Sequence, residues 1–188
     1  ADVLSFTGTA SLFVGTGGSL NPGHTAVIDG TIGFAATGVT LSLVTATGGL
    51  TDGANAGDTY TGVSVAISNA ALLGVEGFEL YASGTVKLNA ASDGITGLDL
   101  TPRMNWTLAT AVANDPDNLL TDLDIIAAIA VQVTGSAAID IGEGVLVAVV
   151  SGVELNLATM TVTDGTTTLT DADVLSFTGT ASLFVGTG

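Results

Sequence analysis

The sequence predicts an all-β protein built from long, amphipathic, antiparallel strands. Three observations carry that expectation. Apolar and hydroxylated residues alternate with period two over long runs, the pattern of a strand with one buried and one wet face. Gly, Asn and Asp cluster between these runs, where tight turns need residues that tolerate positive φ. No stretch shows a 3.6-residue period, and the abundance of Thr, Val and Gly disfavours helix.

The elements follow in chain order. In Leu4–Val14 one face carries Leu4, Phe6, Gly8, Ala10, Leu12 and Val14, and the other is mainly Ser and Thr. Strands of the same kind are expected near 38–46, 60–68, 78–90, 103–112, 129–141, 145–162 and 166–177. Phe78–Ala90 alternates with particular regularity: Phe78, Leu80, Ala82, Val86 and Leu88 on one face, Glu79, Tyr81, Ser83, Thr85 and Lys87 on the other. Turns are expected at Gly15–Gly23, Asp29–Gly30, Thr51–Asp58, Asp93–Gly94, Asn114–Asn118 and Asp164–Gly165. Pro22, Pro102 and Pro116 fall at strand ends or in loops, where a missing N–H costs little.

The chain also repeats itself. Residues 1–17, ADVLSFTGTASLFVGTG, recur letter for letter at 172–188. Such long-period identity marks a tandem array. Residues 1–171 then read as one repeat unit, and residues 172–188 as the first strand of the next. A weaker echo lies inside the period. Ser/Thr-Gly followed by alternating apolar positions occurs around Gly8, Gly38, Gly62, Gly84, Gly135 and Gly152, and again at Gly179. The widest interval, Gly84 to Gly135, leaves room for a degenerate unit around Asn105-Trp106-Thr107. One unit reads either as a hairpin in an antiparallel meander, closing into a barrel, tube or sandwich, or as one coil of a β-solenoid. Irregular spacing and turn-like connections favour the meander.

Composition narrows the function. Eighteen acidic residues face two basic ones, Lys87 and Arg103, for a formal charge of −16. That argues against nucleic acid, whose phosphates need a basic surface, and against anionic membranes. No run reaches the roughly 18 apolar residues of a membrane-spanning helix. Hydrophobic residues make up 47% of the chain, too many for a disordered one. There is no cysteine and a single histidine, His24. Thiol catalysis, His-based triads and the usual zinc sites therefore lack their parts, and no enzymatic activity is expected. Carboxylate pairs remain, yet the acids sit at turns and on polar faces, where water keeps them ionised.

The acidic loops suggest one ligand, calcium. Asp115 and Asp117 are followed by Asp122 and Asp124, and hard cations favour clustered carboxylate oxygens. The spacing matches no EF-hand loop and no calcium-binding nonapeptide. Asp and Asn here equally suit plain turn formation. Trp106, Tyr60 and Tyr81 would make a sugar platform only if exposed together; their scatter favours packing roles.

The duplicated ADVLSFTGTASLFVGTG, the Thr/Ser-Gly-Val-x-Leu strands and the Asp-Gly turns give the chain a resemblance. It resembles the tandem-repeat regions of giant bacterial extracellular proteins: acidic, cysteine-free and β-rich. The resemblance implies an extracellular or cell-surface location and a role as filament, stalk or surface polymer. Adhesin spacer and donor-strand fibre subunit are the alternatives. The expected partners are neighbouring repeats of the same chain or identical subunits.

Overall fold

A computed structural model describes residues 2–186. Seven long strands form one antiparallel sheet: β1 (Asp2–Thr16), β4 (Ile32–Thr47), β5 (Thr59–Leu73), β6 (Phe78–Ser92), β7 (Ile129–Ile141), β8 (Leu146–Thr163) and β9 (Thr168–Val185). They lie side by side in chain order, and every pairing is antiparallel. A two-stranded ribbon, β2 (Ser19–Leu20) with β3 (Val27–Ile28), fills the connection from β1 to β4.

The expected meander is present. The sheet is open, not a closed barrel: β1 pairs only with β4, and β9 only with β8, among the described residues. Antiparallel pairing throughout also excludes the parallel coils of a solenoid. The turn segments behave as their chemistry requires. Asp93 accepts the Thr96 and Ile95 amide protons and the Thr96 hydroxyl proton. Asp164 accepts the amide protons of Thr167 and Thr166. These hydrogen bonds, mainly from backbone, favour the ionised form and hold both carboxyls below the usual carboxylate range.

The internal echo has a simple meaning. Each Ser/Thr-Gly pair sits on its own long strand: Gly8 on β1, Gly38 on β4, Gly62 on β5, Gly84 on β6, Gly135 on β7, Gly152 on β8 and Gly179 on β9. The unit is thus one strand, not a hairpin. Several of these sites are places where the ladder shifts. Gly38 (φ 61°) and Gly152 (φ 59°) adopt left-handed backbone beside register shifts of β4 against β1 and of β8 against both neighbours. A bulge needs such a residue, and glycine takes it without a Cβ clash. Gly84 and Gly135 stand directly opposite each other. A Cβ at Gly84 would lie 2.5 Å from the Thr134 carbonyl oxygen.

One expectation fails. Residues 103–112 form no strand, and no degenerate unit lies at 105–107. Trp106–Ala109 is a single helical turn, α1, capped by the Asn105 side chain, which accepts the Leu108 amide proton at 3.1 Å. The alternation Met104, Trp106, Leu108 resembles a strand, but a strand needs an open edge. β6 is already flanked by β5 and β7, so the segment between β6 and β7 cannot pair beside the strand it follows. It folds over the sheet instead.

That segment supplies three of the four residues of the buried hydrophobic cluster found among the described residues. Trp106, Leu123 and Ile125 are buried against Val44, with Ala46, Tyr60, Met104, Ala109, Leu120 and Ile129 around them. Trp106 is only 1% exposed. It lies over a row of directly opposed residues, Val44, Gly62 and Asn89, on β4, β5 and β6. Gly62 leaves the space: a Cβ there would meet the indole at 2.6 Å. Asn89 supplies the polar anchor. Its Oδ1 accepts from Trp106 Nε1 at 3.1 Å, while its Nδ2 donates to the carbonyls of Met104 and Ile126. Burial, reinforced by the Asp58 carboxylate, pushes the Tyr60 hydroxyl pKa up. Asn89→Leu strands the indole N–H and two carbonyls, and is expected to cost about 1–3 kcal/mol. Urea denaturation of the variant checks this; a midpoint equal to the parent's would show the anchor to be dispensable.

Candidate functional site

The residues singled out for chemistry do not converge. Asp115 is buried, and its carboxylate accepts the amide protons of Leu119 and Leu120. Asp124 pairs with Lys87 at 3.1 Å and accepts from the Thr107 hydroxyl. Asp117 and Asp122 are exposed. Among the described residues, no group of three acidic or imidazole side chains is gathered to hold a metal ion. His24 lies in the exposed β2–β3 ribbon turn. Trp106 is core and Tyr81 is half exposed on β6, so the aromatics make no shared platform.

What the strands do bring together is a two-faced sheet. Directly opposed residues of paired strands share a face. Starting from Phe6, the opposed positions are Leu43, Val63, Leu88, Val131, Leu157 and Leu175. The adjoining row on the other face is Thr7, Ser42, Ser64, Lys87, Gln132, Asn156 and Ser176. Along these two rows apolar residues run unbroken across all seven strands on one face, and polar residues on the other. The 93–128 excursion covers part of the polar face. Its Thr121 amide reaches across to donate to Ser5 Oγ on β1 at 2.8 Å.

The apolar face carries a groove of about 520 Å³ across β5, β6, β7 and β8, at the opposed pair Gly84 and Gly135. Val65, Ile67, Val86, Val133 and Val150 line it, with Gly84 and Gly135 at its floor. Small residues there let the strands approach closely and leave the space open. Sequence alone shows the alternation behind this face. It does not show the groove, because bulges and opposed glycines are properties of the register.

The second feature is the pair of outer strands. β1 and β9 carry the same sequence: Asp2–Val14 reappears as Asp173–Val185. Each is unpaired along its outer edge among the described residues. Each also leaves large side chains in water, Leu4 and Phe6 on one strand and Leu175 (68% exposed) and Phe177 (67% exposed) on the other. An open edge with an apolar face is a template for a further strand. Comparison with protein-family models, with curated proteins and with solved structures gives no match for this chain.

Proposed function

We propose that the chain is a structural repeat of an extracellular filament, stalk or surface polymer. The observation that carries this reading is that the sheet begins and ends on the same strand sequence, with both outer edges open. A unit of that kind does no chemistry. It extends. Its dimensions follow from strand geometry. Strands of 13 to 18 residues make a ribbon about 50 Å wide, and six strand spacings advance it about 29 Å per repeat. The excess of carboxylates, 18 against two basic residues, keeps neighbouring ribbons apart by mutual repulsion. The lack of cysteine suits a surface exposed to oxidants.

The test is the mass of the native polypeptide after full denaturation. The expected result is many multiples of the 171-residue period. A mass near 18.4 kDa overturns the covalent array. Images of the native polymer add a second check, a repeat near 29 Å along a thin ribbon.

A further inference from the structure

We infer that successive copies share one continuous sheet, in which a single copy of the duplicated strand is hydrogen-bonded to β8 of one repeat and to β4 of the next. The partner that fits each open edge is therefore a second copy of this sequence, in a defined register. This rests on the reading of the chain as a structural repeat.

Three observations fix the seam. First, β1 and β9 run in the same direction, because six antiparallel steps separate them. Opposed positions also keep their apolar sides on one face throughout. β1 meets its neighbour on one edge and β9 meets its neighbour on the other. The structure thus displays both coverings of one strand sequence, and they use opposite edges. The backbone groups that β8 satisfies on β9 are those left open on β1. Those that β4 satisfies on β1 are those left open on β9. Nothing has to be displaced for both to be present on one strand.

Second, the register closes on itself. The walk from Phe6 ends at Leu175, the counterpart of Leu4. A second walk on the far side of the bulges runs Leu12, Ala36, Ala70, Ala82, Ala137, Val150 and Ala181, the counterpart of Ala10. Both give an offset of two residues. An odd offset would turn the apolar side of one repeat against the polar side of the next. The even offset keeps each face continuous through any number of copies. It displaces the ribbon sideways by about 7 Å per repeat.

Third, the side chains at the seam complement one another. On the apolar face Phe177 stands opposite Leu155, and its counterpart Phe6 stands opposite Leu43. On the polar face Thr178 stands opposite Glu154, and its counterpart Thr7 stands opposite Ser42, with the two hydroxyl oxygens 3.3 Å apart. The shared strand would place Leu155, Phe6 and Leu43 in one apolar row. It would place Glu154, Thr7 and Ser42 in one polar row.

The experiment uses a chain of two periods, residues 1–171 followed directly by 1–188. Glu154→Cys in the first repeat and Ser42→Cys in the second flank the shared strand across two spacings, about 10 Å. Within one repeat these positions lie four strand steps apart, about 19 Å. A thiol-to-thiol cross-linker about 10 Å long is expected to join them in most chains, and to leave the same two cysteines unjoined in the single 188-residue chain. A Thr7→Cys/Ser42→Cys disulfide in the first repeat reports that β1 is seated on β4. No cross-link between repeats while that disulfide forms overturns the shared sheet and leaves an array of separate beads, so the array reading survives. A native mass of one repeat overturns the array reading instead. The same cysteine pair, placed in separate chains and joined only when the chains are refolded together, then supports the shared strand between subunits.

Discussion

Trp106→Ala is expected to cost about 3–5 kcal/mol of unfolding free energy, the range for deleting a large buried aromatic. The indole is the centre of the only fully buried cluster among the described residues. Its loss opens a cavity between Val44, Leu123 and Ile125. It also leaves Asn89 Oδ1 without the donor it now has at 3.1 Å. The effect is large because the rest of the sheet is thin. Most strand residues are half-buried or exposed, so no second core on the described residues takes over. Trp106→Phe separates the two contributions: it keeps most of the packing and loses only the N–H, for about 1–3 kcal/mol. Guanidinium denaturation followed by far-ultraviolet circular dichroism measures both. A loss below about 1 kcal/mol for the alanine variant would show that the 93–128 excursion is an ornament and not the clamp on β4, β5 and β6.

Removing residues 172–188 is expected to turn the chain into a head-to-tail assembler. β8 then loses its partner from Leu146 to Met160, and Leu155 and Leu157 lose their neighbours Phe177 and Leu175. The surface that fits this bare edge is the outer edge of β1 on another molecule, which carries the same side chains. Sedimentation should show a concentration-dependent ladder of oligomers, whereas the full chain presents no bare β8. A synthetic peptide of residues 172–188 should cap the ladder by competing for β8. Assembly insensitive to the peptide would mean general apolar aggregation and would exclude the edge-specific account. The two predictions probe different parts of the fold. The first concerns the polar face, where the excursion clamps three central strands. The second concerns the edges, where, among the described residues, β9 is held by its ladder to β8.

The alternation of Leu4–Val14 and Phe78–Ala90 is enough to predict strands, because a side-chain period of two is fixed by backbone geometry and needs no tertiary partner. The identity of residues 1–17 with 172–188 is likewise read without a structure. The same reasoning misplaced 103–112, where Met104, Trp106 and Leu108 alternate as a strand would. Whether such a segment joins a sheet depends on a free edge, and β5 and β7 had taken both edges of β6. The importance of Asn89 was equally hidden. It is one more polar residue on an alternating strand, until Trp106 folds onto it from a loop.

The acidic loops show the same division. Their composition fits calcium as well as turns, and only placement shows Asp115 spent on the amides of Leu119 and Leu120 and Asp124 on Lys87. Strand type, facing and the 17-residue duplication were therefore written in the sequence, since each depends on neighbours within a few residues or on identity between distant segments. The open sheet, the groove at Gly84 and Gly135, the clamp on Val44, Gly62 and Asn89, and the even two-residue offset came from the tertiary structure alone. Each is set by which residue of one strand stands opposite which residue of another. That register is a sum over six ladders and their bulges, and no single segment of the chain contains it.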